Sequence, residues 1–527
     1  MSLYHDLIEY TDKQYTPLHM PGHKRNPSFP QPDAYKSDIT EIPGFDSLYE
    51  ESGPLLALKK RIQRLYHSEN SFLLVNGSTG GLLTAIRSAT KRGDTVLMAR
   101  NCHCAVYHAI RMFGLHAEYI QPDCDIYGIA EGIRLEQVQR ALEAINVTDS
   151  GSSATEAPSA PTVKRPALVI LTSPTYEGRI SELKAIADYL HEQNIPLLVD
   201  EAHGAHLSLH PAFEGSAVAA GADLVVQSLH KTLPALTQTA LLHVNGSLVS
   251  LDRIRINFKM LQTSSPSFLL LSSVDQCISA LEERADELFS TLQRNLMRFY
   301  EKIKGLKYLR VIVPAGYANA NGLPQFSACT TSQLNGTSRD PSRIVVITPA
   351  LLTGLQLAKR LKKDFGIELE ASAPRHIIAI TGIADTEETF EHFAEALLAI
   401  DAELAVQQVS TGNDSQTPRA HDTDFRAIEA SRFFVDNYFH YPSIPEAVKN
   451  SYEIEDAPSE SLPYSSCKNR ISAEFLYLYP PGIPMLVPGE RISDELLNCI
   501  EQLLKNDFSL YGPKRAADKY LQVIREN

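Results

Sequence analysis

Three short segments hold the residue types and spacings best suited to chemistry. Gln227-Ser228-Leu229-His230-Lys231-Thr232 follows the apolar run Leu224–Val226. Lysine favours solvent, so one at the end of a buried strand is drawn into the crevice where open α/β sheets bind ligands. A partly desolvated amine loses basicity and can form a Schiff base with an aldehyde. Upstream, Pro196–Val199 ends in Asp200-Glu201-Ala202-His203. A carboxylate at such a strand end can keep a pyridine nitrogen protonated, the condition under which pyridoxal phosphate acts as an electron sink. Further upstream still, Gly77-Ser78-Thr79-Gly80-Gly81 separates an apolar run from a helical pattern. Backbone N–H groups, hydroxyls and a helix N-terminus together suit a dianionic phosphate. Each segment has a plainer reading: a lysine facing water, a helix N-cap aspartate, and a Gly-rich turn with neither the Walker lysine nor the dinucleotide glycine spacing. Their order along one chain is more specific than any of them alone.

The elements needed to position these residues are legible. Ser71–Val75, Thr95–Met98, Ala167–Leu171, Pro196–Val199, Leu224–Val226 and Ala240–Val244 are short apolar runs without alternation, as expected of strands covered on both faces. Leu82, Leu83 and Ile86, and then Ala105, Val106, Ala109, Ile110 and Phe113, have helical spacing. This alternation predicts an α/β domain with a mainly parallel sheet. Arg343–Leu404 reads as a small α/β unit, with strands at Ile344–Ile347 and His376–Ile380 and helices at Leu351–Asp364 and Glu387–Leu404. Thr148–Pro161 is expected to be a surface insertion, Thr330–Pro341 a loop and Ser410–Asp422 a linker. The expected organisation is an N-terminal arm (1–55), a large domain (56–290), a small α/β domain (291–408), a linker (409–424) and a C-terminal domain (425–527).

Composition narrows the function classes. With 527 residues, 43% hydrophobic and 21% charged, the chain has room for two or three globular domains. A net charge of −14 without a basic block argues against a nucleic-acid partner. Seven scattered cysteines form no disulfide framework and fit a reducing compartment. Cys102-His103-Cys104 lacks the gaps of structural zinc sites, and Pro21-Gly22 keeps His19 and His23 off a common helix face, so no metal is expected. The start, MSLYHDLIEYTDKQ, has no basic and apolar leader, and no run of about 18 apolar residues follows. A cytoplasmic protein without a membrane span is expected.

With these residues in view, nearly the whole chain resembles the fold-type-I pyridoxal-phosphate decarboxylases of ornithine, lysine and arginine, in their shorter bacterial form without a receiver-like domain. The resemblance runs through His19-Met20-Pro21-Gly22-His23-Lys24, Glu41–Gly53, Val75–Gly81, Arg100-Asn101-Cys102-His103, Ser173-Pro174-Thr175-Tyr176-Glu177-Gly178, Asp200–His206, Gln262–Phe268 and Tyr479–Glu490. Ser228–Ala240 (SLHKTLPALTQTA) is its most specific part. The resemblance implies that Lys231 attaches the cofactor, Asp200 pairs with its ring nitrogen and His103 stacks on the ring. It further implies that Ser78, Thr79, Gly80, Ser228 and His230 surround the phosphate, that Ala202 and His203 pack near the ring, and that Thr263 reaches the cofactor of a neighbouring subunit. The catalytic set is then Lys231, Asp200, His103 and His230; the proton donor is left open, with Lys231 and His230 as candidates by proximity.

The implied reaction is decarboxylation of a basic amino acid to the corresponding amine, a polyamine precursor, by a homodimer or larger homo-oligomer. Cys104 departs from the family, whose members often carry lysine there. Two rivals stay open at this level. One is an aminotransferase or other lyase of the same fold, which often uses a C-terminal-domain arginine to clamp the substrate carboxylate; Arg375 is the candidate clamp, though a surface arginine at a strand start is the plainer reading. The other is a silent regulatory homologue. Glu474 is the candidate for the group meeting the distal end of the substrate, with a solvent-facing glutamate as the plainer reading.

Overall fold

The computed structural model describes residues 12–19, 21–29, 34, 38–42, 44–45, 47–50, 52–125, 127–148, 165–314, 316–317, 338–349, 352–410, 443–478, 482–512 and 519–526. The expected insertion Thr148–Pro161 beyond Thr148, most of the loop Thr330–Pro341, the linker Ser410–Asp422 beyond Ser410, and Tyr479-Pro480-Pro481 lie outside the described residues.

The apolar runs of the first half assemble into one seven-stranded sheet: β1 (Asn70–Leu74), β2 (Thr95–Ala99), β3 (His116–Ile120), β4 (Leu168–Thr172), β5 (Leu197–Asp200), β6 (Leu224–Ser228) and β7 (Ala240–Val244), in the order β1-β7-β6-β5-β4-β2-β3. β7 runs antiparallel to both of its neighbours and the remaining pairs are parallel. Residues of β5, β6 and β7 are all buried, which is why these strands read as unbroken apolar runs. β3 is absent from the sequence reading because it is an edge strand, with His116, Ala117 and Tyr119 partly exposed and Glu118 exposed.

Helices follow the strands closely. Helix α1 (Gly77–Ala89) begins directly after β1, and α2 (Cys104–Phe113) begins beyond β2. A Cβ on Gly81 would lie 2.6 Å from the Leu74 side chain and 3.0 Å from that of Val226. The missing side chain therefore lets α1 lie directly on β1 and β6.

The second sheet joins Arg310–Val311, Arg343–Ile347, His376–Ile380 and Ala371–Ser372, each antiparallel to its neighbour. Its helix runs over Gly354–Phe365 rather than from Leu351, because Thr353 and Gln356 close a reciprocal capping box at the start. Gly366, at φ +66°, ends it. The 35-residue helix Phe268–Lys302 spans the boundary expected at residue 290 and has its single non-helical residue at Arg284.

Two further regions contact loops of the large sheet, Gly22 N donating to His230 O at 2.6 Å and Cys104 N to Gly482 O at 3.1 Å. Strand Thr16–Leu18 pairs with Ile367–Leu369, and buried Lys24 donates to Pro17 O, His19 O and Ile380 O at 3.1, 2.8 and 2.7 Å. In the C-terminal region, Leu476–Leu478 pairs with Ile483–Leu486 and Leu510–Tyr511, and Ser459–Pro463 pairs with Tyr520–Ile524. These strands and helix Asp494–Lys505 share an apolar core of their own. Among the described residues, no helix is long and apolar enough to cross a membrane.

Candidate active site

The parallel strands β2, β4, β5 and β6, together with β1, end on one edge of the large sheet. There they open into a cavity of about 490 Å³. Its wall includes Ser78 and Thr79 after β1, His103 after β2, Asp200, Ala202 and His203 at the end of β5, and Ser228, His230 and Lys231 at the end of β6. This is the crevice position expected of ligand sites in open α/β sheets.

The phosphate-binding end is built from α1. Asn76 makes no side-chain cap; Gly77 N donates to Gln238 O at 3.0 Å, and the other first-turn N–H groups have no intrahelical acceptor. Ser78 Oγ and Ser228 Oγ lie 2.6 Å apart beside them. Gly80 does not line the cavity: a Cβ there would come within 2.6 Å of Gln262 Nε2. Of the Gly-rich segment, Gly77–Thr79 face the cavity whereas Gly80 and Gly81 serve packing. Thr263 is also outside this wall; its carbonyl accepts a hydrogen bond from the Tyr49 hydroxyl.

At the other end Asp200 is buried. It starts no helix, and its Oδ1 accepts the Ala202 N–H at 3.1 Å. Burial pushes its carboxyl up, while the Lys231 charge and the Ala202 N–H pull it back. Burial likewise pushes the Lys231 amine down, with Asp200 and Glu370 opposing and Arg343 reinforcing the shift.

Three histidines surround this amine. His103 caps α2, its Nδ1 accepting from Ala105 N at 3.2 Å, and burial with the nearby Lys231 charge pushes it down to about 4. His230 bonds Thr239 O through Nδ1 at 2.9 Å and is also pushed down to about 4, chiefly by burial. Since Nδ1 donates to the carbonyl, Nε2 carries the lone pair of the neutral ring. His203 Nε2 is 3.1 Å from Lys231 Nζ, and burial holds this ring well below the usual histidine range.

Several wall residues escaped sequence reasoning. Tyr176 donates to Glu370 Oε1 at 2.5 Å, and both residues, with Glu177, line the cavity. Ile483, Pro484 and Met485 reach it from the C-terminal region. Arg100, also on the wall, is held by Glu490. The signal for Tyr176 and Glu177 was present in SPTYEG, but nothing local to that motif assigns them a direction. Arg375 and Glu474 do not line the cavity; Glu474 is buried and accepts Gln522 N at 2.7 Å.

The residues present fit an aldehyde cofactor with a phosphate. An amine biased toward its free base, a buried carboxylate and an uncapped helix N-terminus flanked by two hydroxyls converge on one cavity. Comparison with known proteins decides the family. The family model described as Orn/Lys/Arg decarboxylase, major domain, matches residues 1–387, and its C-terminal-domain counterpart matches residues 441–507. The chain belongs to the Orn/Lys/Arg decarboxylase family.

Among relatives of this decarboxylase, the arginine decarboxylase of Bacillus subtilis (strain 168) is 29% identical over 99% of this chain and 98% of the relative. The inducible lysine decarboxylase of Escherichia coli (strain K12) is 24% identical over 93% of this chain and 74% of the relative. The crystal structure of the lysine decarboxylase LdcF of Francisella novicida superposes with a TM-score of 0.72 at 21% identity, covering 91% of this chain and 73% of that one. The fold is that of the fold-type-I enzymes, and the decarboxylase acts on basic amino acids.

Proposed function

We propose that the protein binds pyridoxal phosphate through Lys231 and removes the α-carboxyl group of arginine, lysine or ornithine, with arginine first, releasing CO₂ and the corresponding amine. The observation that carries this reading is the convergence of Lys231, Asp200 and the Ser78–Ser228 pair on one cavity. Arginine stands first because a relative matching almost end to end carries that name.

When bound, the cofactor supplies the electron sink for the bond that breaks. Lys231 supplies the attaching amine, and Asp200 holds a proton on the ring nitrogen. His103 covers the ring, with Ala202 and His203 packed near it. Ser78, Thr79 and Ser228 would bind the phosphate, with His230 beside them. Glu177 and Glu370, the carboxylates of the wall besides Asp200 among the described residues, meet the distal cation of the substrate. Arg100, the arginine of the wall among the described residues, is engaged with Glu490. This supports a carboxylate left free to depart rather than the clamped carboxylate of an aminotransferase.

The same proposal includes the domain limits 1–55, 56–290, 291–408 and 425–527, with 409–424 as a linker. It also includes a cytoplasmic location, a role in polyamine formation, and a homodimer or larger assembly in which Thr263 reaches the neighbouring cofactor. The test is incubation of the cofactor-loaded protein with arginine, lysine and ornithine separately, measuring CO₂ and amine. Equal amounts of both from one substrate support the reading. A keto acid with no CO₂ overturns it.

A further inference from the structure

A guanidinium has only hydrogen-bond donors and stays charged at any pH a protein survives. Arg343 Nη2 lies 3.1 Å from His203 Nδ1 and 3.0 Å from His203 O. Against this donor, Nδ1 must present its lone pair. The proton of the neutral ring is then on Nε2, which faces Lys231 Nζ at 3.1 Å. An N–H aimed at a nitrogen needs a lone pair there. A free-base amine supplies one, whereas an ammonium would set N–H against N–H.

The fold leaves Arg343 little freedom to do otherwise. It is fully buried, at 0% exposure, and a Cβ on Gly178 would lie 2.8 Å from both its Cβ and its Cγ. Gly178, at φ +94°, also accepts Asp340 N through its carbonyl, at 2.8 Å. The carboxylates of Asp340 and Glu370 hold the guanidinium electrostatically. The His203 ring also makes an edge-to-face contact with Tyr176, centroids 4.9 Å apart.

We propose that Arg343 is a positioning residue which fixes His203 as the Nε2–H tautomer, and through it holds Lys231 as the hydrogen-bond acceptor of the pair. Arg343 does not line the cavity, so it acts through His203 rather than on a ligand. The charged and titratable groups facing the amine are Asp200 from β5, Glu370 and Arg343 from the small domain, and His103, His203 and His230. Asp200 and Glu370 favour the ammonium. Arg343 and burial favour the free base, and all three rings are neutral at ordinary pH. The functional importance of this relay rests on the reading of Lys231 as the cofactor's attachment point, but the tautomer itself belongs to the chain alone.

The test uses the full-length chain labelled with ¹⁵N-histidine before cofactor is added. The His203 signals are identified by their loss in His203→Gln. The expected pattern is a pyridine-type Nδ1 and a pyrrole-type Nε2. The opposite tautomer, or a doubly protonated ring, at neutral pH overturns the proposal without any other variant. The second measurement is the pH dependence of Lys231 acylation by acetic anhydride, read by peptide mass spectrometry. In Arg343→Met the midpoint is expected to rise by about one pH unit, roughly a tenfold loss of reactive amine below it. Arg343→Lys, which keeps charge and donor, should stay near the parent. An unchanged midpoint in folded Arg343→Met overturns the proposal. Borohydride trapping of pyridoxal phosphate reads the other question: failure at Lys231 overturns the function assigned above, whereas the wrong His203 tautomer overturns the relay.

Discussion

Arg100, just beyond β2, and Glu490, in the C-terminal region, form a two-pronged ion pair at 2.9 and 3.0 Å with both side chains buried. Glu490 Oε2 also accepts Val487 N at 2.8 Å, so one carboxylate ties the stretch behind Ile483–Met485 to the cavity wall. Breaking a buried pair strands the remaining charge. Glu490→Ala should therefore cost about 3–5 kcal/mol in chemical denaturation and raise KM. The double change Arg100→Met with Glu490→Leu should recover part of the stability but not KM. Full recovery of both would remove the pair from substrate binding.

The hydroxyls of Ser78 and Ser228 predict a selective defect. Ser78→Ala or Ser228→Ala should weaken pyridoxal phosphate about tenfold or more, the loss expected for a hydrogen bond to a charged group. Pyridoxal, which lacks the phosphate, should bind the variants and the parent equally. Absorbance titrations with the two compounds make the comparison, and an equal loss for both would place the phosphate elsewhere.

Lys24 satisfies three carbonyls belonging to the N-terminal segment and the second sheet. Burial pushes its amine down, and Asp385 pulls it back. Lys24→Met should cost about 3 kcal/mol, because the carbonyls lose their donor without access to water. Urea denaturation and protease sensitivity of the first thirty or so residues should change together. A stable variant with a newly cleavable N-terminus would show the lysine to be a local latch only.

His243 is fully buried, bonded to Ser71 and Gln227, and pushed down to about 3 by burial. The unfolded ring takes up a proton near pH 6.5 while the folded one does not, so its stabilising effect is present above that pH and is lost as pH falls. The stability gap between the parent and His243→Gln should shrink by about 1–2 kcal/mol between pH 7 and 5. The difference between the two proteins is the proper readout, because buried Glu201, pushed up to about 8, contributes with the opposite sign in both. A constant gap would mean that His243 protonates in place.

Much of the site was legible because its parts lie at the ends of strands covered on both faces. Asp200 ends a Leu-Leu-Val run and Lys231 lies five residues past Leu224–Val226, and β7 matches its expected limits, Ala240–Val244, residue for residue. The edge strand β3 was not legible, since exposure removes the apolar signal that marks the others. Gly80 and Gly81 show a second limit. Composition reveals a Gly-rich turn, but which glycines line the cavity and which admit Gln262, Leu74 or Val226 depends on contacts distant in sequence. Arg343 was hidden for the same reason: it opens an apolar strand, and its partner His203 lies 140 residues away. Arg100 and Glu490, 390 residues apart, were both inside motifs noted for resemblance, yet neither motif announces the other.

The most direct measurement is reduction of the pyridoxal-phosphate-loaded protein with borohydride, followed by peptide mass mapping. The account predicts a single stable cofactor adduct on the peptide carrying Lys231, and none in Lys231→Ala. A parent protein that takes up the cofactor but yields no adduct at that lysine would contradict it.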